Sequence, residues 1–164
     1  MSRHHTKRYQ RGVAALEFAF VFLLGILPLL LLTLSGVMIF AAQQSLTLAA
    51  SEGARAALHY GSTAQRQTAA CSAAQSSMQW LLNFSGESAN CAAPQPPGST
   101  YQPIAVSSPA TCPSNAAMSC ITVVASYDYK NRPLIPLAGA LFVWLTGPNL
   151  SSSATVQLDL SGSY

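Results

Sequence analysis

The stretch FAFVFLLGILPLLLLTLSGVMIFAA, residues 18–42, decides the architecture, because it runs for 25 residues without a charged side chain. A helix needs about 20 predominantly apolar residues to cross the hydrocarbon core of a bilayer. This segment is therefore long enough to span with some tilt. Upstream of it Arg3, Lys7, Arg8 and Arg11 cluster with His4 and His5. The positive-inside rule keeps that cluster on the cytoplasmic side and sends everything after residue 42 to the other side. A secretory signal peptide also begins with a basic region, but its hydrophobic core is roughly 7 to 15 residues and ends at a small-residue cleavage site. Here the run is longer, and Ile39 and Phe40 stand near its end. Pro28 removes one backbone donor inside the span, which predicts a kink or local loosening near Gly25 to Pro28.

Composition agrees with an anchor carrying one modest domain. The chain has 164 residues, of which 8% are charged and 50% hydrophobic, against roughly a quarter charged in ordinary soluble domains. The net charge of +3 comes from the first 12 residues. Beyond them four basic residues (Arg55, Arg66, Lys130, Arg132) face five acidic ones (Glu17, Glu52, Glu87, Asp128, Asp159). That balance offers no basic footprint for nucleic acid.

Past the span the helical pattern continues. Leu46, Ala49, Ala50, Gly53, Ala54, Ala57 and Leu58 recur at three- and four-residue spacing on one face, while Glu52, Arg55 and His59 share another. The spacing predicts a helix to about Tyr60, with Gly61 as its stop. The stripe of Ala and Gly can approach another backbone closely, either in the chain's own domain or in a neighbouring subunit. A second helix is expected over 63–84, with Ala70, Ala74, Met78, Leu81 and Leu82 on one face and its end at Ser85-Gly86. The following Pro-, Ser- and Gln-rich stretch to about Asn115 reads as loop, with a short strand near Ile104 to Ser107. Two strands alternate with period two, one through Ile121, Val123, Ala125, Tyr127 and Tyr129, the other through Ala154, Val156, Leu158 and Leu160. Between them residues 133–145 are apolar almost throughout but too short to cross a bilayer. They suit a core helix over the sheet, or an interfacial segment with Phe142 and Trp144 at lipid headgroups or an adjacent subunit. The expected fold class is α+β: a long N-terminal transmembrane helix continuing outside the membrane and packed on a small antiparallel sheet. The expected segments are a leader 1–12, a span 13–42, a helical region 43–84 and a loop-rich β domain 85–164.

Cys71, Cys91, Cys112 and Cys120 are even in number and all lie beyond the span. Two disulfides are expected in preference to a metal site, since no Cys-x-x-Cys pair exists and His59 stands alone. Three connectivities are open; the favoured one joins Cys71 with Cys91 and Cys112 with Cys120. No Ser/His/Asp constellation or phosphate-cradling loop is visible, so neither catalysis nor a cofactor is expected. His59 reads as a solvated helix residue.

Glu17 is the informative residue. A carboxylate at the edge of an apolar helix costs a few kcal/mol if it enters hydrocarbon unpaired. It either snorkels to the headgroups or awaits a partner, and charge alone does not choose. The stretch Arg11-Gly12-Val13-Ala14-Ala15-Leu16-Glu17-Phe18 resembles the processing site of type IV pilin-like precursors: a basic leader ending in Gly, then Glu at the fifth mature position. With the apolar run that follows, it is similar to the TadE/TadG-like pseudopilins of tight-adherence (Flp) pilus systems. Val13 at the first mature position departs from the Phe typical of type IVa pilins and agrees better with the Flp branch. Tyr127-Asp-Tyr-Lys-Asn-Arg-Pro-Leu-Ile-Pro-Leu and the last strand also resemble the distal part of TadE-like chains.

The resemblance implies that a membrane prepilin peptidase cuts between Gly12 and Val13, leaving a mature chain from Val13 to Tyr164. Glu17, followed by Phe18, would then accept the new amino group of Val13 on an adjacent subunit and set helix register. Its implied partners are the membrane, the peptidase, other pilins and the Tad assembly machinery, with no small-molecule substrate. It implies a bacterial inner-membrane protein with a cytoplasmic N-terminus. The rival reading is an uncleaved single-pass protein whose outer domain binds a ligand or envelope partner, for which Glu17→Ala would leave function intact.

Overall fold

The computed structural model describes residues 11–59, 61–98, 100–113, 115–135 and 147–158. Its elements run α1 (Arg11–Val21), a π-helical turn (Phe22–Ile26), α2 (Leu27–Ala56), α3 (Thr63–Ser77), α4 (Gln79–Ser85), β1 (Ile104–Val106), β2 (Ala110–Thr111), β3 (Ser119–Tyr127) and β4 (Leu150–Leu158). The class is α+β. Two compact units divide the chain at Val37/Met38.

In the first unit the side chains of Val13, Leu16, Phe18, Phe20, Leu23, Leu24, Leu29, Leu32 and Val37 all stand exposed. An apolar surface on every side of a helix has no place in water. The helix Gly12–Ala56, 45 residues, is long and apolar enough to cross a membrane. The loosening expected before Pro28 takes the form of the π-helical turn. Pro28 has no N–H for the Leu24 carbonyl, and its ring crowds that carbonyl. The preceding turn widens, and the Leu27 N–H donates to the Phe22 carbonyl instead. A π-turn accommodates the lost bond without ending the helix.

The second unit has one core. Ala42, Leu46, Ala49, Ala50, Ala54 and Ala57 of the α2 stripe are buried with Ala70, Cys71, Ala74, Met78, Leu81 and Leu82, and with Ile121, Val123, Ala125 and Tyr127 of the sheet. The small-residue face therefore packs inside its own domain. At Gly53 a Cβ would stand 2.9 Å from the Ala70 carbonyl oxygen, 3.0 Å from Val123 Cγ1 and 3.2 Å from Ala74 Cβ. Here α2, α3 and β3 meet with no room for a methyl group. Leu58 departs from the expected stripe and is exposed. The α-helix ends at Ala56, earlier than Tyr60, and the turns that follow abandon the 100° step that would have carried Leu58 inward.

Arg66 ties down this helix end, donating from Nη1 to the Ala57 carbonyl at 3.2 Å and from Nε to the Gly61 carbonyl at 3.1 Å. A cation at a helix C-terminus suits both the free carbonyls and the macrodipole. Ser62 and Gln65 then form a capping box that starts α3. The second helix is not continuous as expected but breaks at Met78, whose backbone leaves the helical region (φ −113°, ψ 19°). The Leu81 and Leu82 N–H groups both turn to the Met78 carbonyl. The Ser77 carbonyl instead accepts from Ser45 Oγ at 3.3 Å. Gly86, at φ 65°, caps α4 in the left-handed conformation that favours glycine.

The sheet has β3 at its centre, paired antiparallel with β4 along one side and with β1 and β2 along the other. The β3–β4 register runs from Ser119 opposite Leu158 to Tyr127 opposite Leu150. From Ile121 to Tyr127 the odd-numbered residues of β3 face the core, as period two requires, while Cys120 is buried beside them. The two-residue strand β2 was not expected from the sequence. The structure joins Cys71 to Cys91 and Cys112 to Cys120. The second bond holds the end of β2 against β3, and the first fastens α3 to the segment after α4. Leu134 is buried against the core, whereas residues 136–146, with Phe142 and Trp144, lie outside the described residues, as do the leader residues 1–10, Tyr60 and Leu160.

The two disulfides close loops of 20 and 8 residues. Loop-closure entropy assigns them about 3.3 and about 2.5 kcal/mol. Replacing Cys71 and Cys91 with Ser should therefore lower the urea midpoint of the full chain in detergent more than replacing Cys112 and Cys120. Equal midpoints for the two double variants would contradict this ordering.

Candidate processing and assembly site

Gly12, Val13, Glu17 and Phe18 lie together on α1. A Cβ built at Gly12 meets nothing within 4 Å, so packing within the chain does not call for glycine there. Val13 and Glu17, four residues apart, share one face of the helix. Both are exposed, and Glu17 has no hydrogen bond or ion pair among the described residues. Phe18 is exposed as well and stacks on Phe22, with ring centroids 6.2 Å apart and planes inclined by 23°. The site thus consists of one carboxylate on an otherwise apolar surface, with a side-chain-free residue five positions before it. Such a surface can be recognised by another protein or paired with another helix.

A second polar constellation, which sequence reasoning did not find, lies around the turn after β3. Asp128 folds this turn: its Oδ1 accepts from the Asn131 N–H at 3.1 Å and its Oδ2 from Asn131 Nδ2 at 2.6 Å. Tyr127 donates its hydroxyl to the Arg132 carbonyl at 2.7 Å. The turn presents Arg132 to Glu87, with Nε 3.7 Å from Oε1. Glu87 Oε2 also accepts from the Tyr101 hydroxyl at 3.1 Å, and that hydroxyl accepts from the Asp128 N–H at 2.9 Å. Three distant segments are thereby joined, each polar group supplied with a partner, which is the signature of a structural lock. The alternation carries the strand on to Tyr129, but β3 ends at Tyr127 and the chain turns at Asp128; Glu87 and Tyr101 lie in loop sequence whose pairing is tertiary. Among the described residues no group of three His, Cys, Asp or Glu side chains could hold a metal ion.

Burial, and then the charge of Glu87, push the Tyr101 hydroxyl well above its ordinary pKa of 10. The same two causes push Tyr127 up to about 12. The unfolded chain releases these protons near pH 10 while the folded chain keeps them. Stability from this lock is therefore intact below pH 10 and falls as pH rises toward about 12. Urea unfolding across that window should show the decline, and Tyr127→Phe should flatten it while lowering stability at neutral pH through the lost bond to Arg132.

No curated protein and no solved structure matches the chain. The family model described as TadE-like protein matches residues 12–55. The match begins at Gly12, contains Glu17 and the whole apolar run, and stops before α3; the distal resemblance around Tyr127 to Leu137 lies outside it. Over residues 12–55, the helix that carries the candidate site, this chain is similar to the TadE-like proteins, a pilin-related family.

Proposed function

We propose that the chain is a membrane-anchored minor pilin or pseudopilin, a structural component in assembly of a Tad/Flp-type adhesion pilus. It is a substrate of prepilin peptidase and not an enzyme. The observation that carries this reading is Glu17: a carboxylate exposed on an apolar helix without a partner among the described residues, five positions past the glycine at which the TadE-like match begins. An unpaired charge at the edge of hydrocarbon calls for a partner from outside the chain. Cleavage between Gly12 and Val13 would create one, the α-amino group of Val13 on a neighbouring subunit. Two opposite charges in a low-dielectric bundle are stable only as a pair, so the contact would fix axial register.

The leader's basic residues favour a cytoplasmic N-terminus and an outer domain, and two disulfides suit the oxidising periplasm of a bacterial envelope. The test is N-terminal sequencing or intact mass of the membrane-extracted protein from cells containing the peptidase. The expected N-terminus is Val13, and Gly12→Leu should retain the leader. A wild-type chain still beginning before Val13 would sink the reading.

A further inference from the structure

Within the unit that begins at Met38, the lower edge of the domain is fixed relative to α2. The uncharged apolar run ends at Ala42, and Gln43, Gln44 and Ser45 follow. Trp80 on α4 donates its indole N–H to Ser45 Oγ at 3.0 Å, and Ser45 donates onward to the Ser77 carbonyl. At 1.5 Å per residue, α4 is tied to α2 only about 4.5 Å beyond the end of the apolar run. The core reaches lower still, since Met38 and Ile39, inside that run, pack against it. The headgroup zone on each side of a bilayer is about 5 to 7 Å thick, so where the apolar run ends at the hydrocarbon boundary this edge of the domain falls within it.

The side chains presented there suit that zone. Trp80 and Phe84, one turn apart on α4, are 41% and 53% exposed, and α4 (QWLLNFS) carries no charge. On α2, Ala41 one turn below Ser45 and Leu48 one turn above it are exposed too, which makes the patch continuous with the surface of the apolar run. An indole whose N–H is satisfied and whose ring is partly exposed is the form in which tryptophan lodges at the membrane–water boundary.

We propose that α4 is a membrane-facing foot: Trp80 and Phe84 lie in the headgroup region of the bilayer that α2 crosses and hold the domain against it. This rests on the membrane-anchored reading above. The occupant is lipid and not a second copy of the chain, because the patch continues the lipid-facing surface of the same helix.

The test uses the full chain with Trp144→Phe, which leaves Trp80 as its tryptophan, in phosphatidylcholine vesicles at low protein-to-lipid ratio. Trp80 is expected to lose most of its emission to lipids brominated near the headgroup, little to lipids brominated near the chain ends, and little to aqueous iodide. Flotation of the same vesicles reports anchoring separately. A chain that fails to float overturns the anchor and the foot with it. A floating chain whose Trp80 is quenched by iodide and untouched by shallow bromines overturns the foot alone. Shielding that appears only when protein is concentrated in the membrane assigns the patch to a second copy and equally overturns it.

Discussion

Gly53→Val is expected to unfold the domain that begins at Met38 while leaving the apolar helix Gly12–Ala56 able to hold the chain in a membrane. In an exposed helix, replacing glycine with alanine gains about 1 kcal/mol of propensity. At Gly53 that gain is opposed by a Cβ 2.9 Å from a backbone oxygen of α3 and 3.0 Å from Val123. The first obstacle cannot swing aside as a side-chain tip could, so α2 and α3 must separate. Overpacking of this kind costs typically 1–3 kcal/mol, which makes Gly53→Ala mildly destabilising on balance. Valine adds two further methyl groups, and the expected loss then exceeds about 3 kcal/mol, a large share of the stability of a small domain. Thermal unfolding of the full chain in detergent, followed by near-ultraviolet circular dichroism, reads the effect. Gly36→Ala is the control, since a Cβ there meets nothing within 4 Å. A Gly53→Val chain that melts like the wild type would show that the three elements do not pack as described.

The same position shows what could be read in advance. Gly53 fell on the predicted apolar stripe because α2 keeps a 3.6-residue period through Ala54, and every member of that stripe up to Ala57 is buried. The period stops being informative where the helix stops, hence the misplacement of Leu58. The strands were legible because β3 and β4 are long enough for alternation to show, whereas β2, with two residues, has no period at all. The break at Met78 left no mark because neither Gly nor Pro makes it. It depends on Ser45, 32 residues earlier, accepting the role of partner to the Ser77 carbonyl. In the same way the Glu87–Arg132 pair and the Tyr101 bridge join residues far apart in sequence, where spacing carries no information. The proposed processing site, Gly12 to Phe18, is a different case. Its residues are consecutive on one helix, and their value lies in an order that another protein would read, which a fold of one chain does not alter.

Glu17→Ala is the variant expected to separate assembly from every other property of the chain. The alanine removes a carboxylate at the edge of the apolar helix, a group that is costly in hydrocarbon when unpaired, so membrane insertion should be undiminished. The domain begins at Met38, and its melting should be unchanged. Gly12 and Val13 remain, so cleavage is expected to continue. The loss falls on contacts between subunits: without a carboxylate, the amino group of Val13 on the neighbour must stay solvated or enter the bundle unpaired. A penalty of about 1.4–2.8 kcal/mol per contact weakens each association step by about 10- to 100-fold. Glu17→Asp, one methylene shorter, should recover part of that loss, and Glu17→Gln, polar but uncharged, should recover little. Cross-linking to neighbouring pilins in the membrane, with counts of surface pili, measures both. Val13 and Glu17 also share a face within one chain, and pairing there would need no neighbour. In that case Glu17→Ala would alter the titration of the α-amino group in isolated, cleaved protein and leave cross-linking at the wild-type level. If cross-linking and pilus counts are both unaffected, the carboxylate has no role in assembly, and an uncleaved single-pass protein acting through its outer domain becomes the better account of the chain.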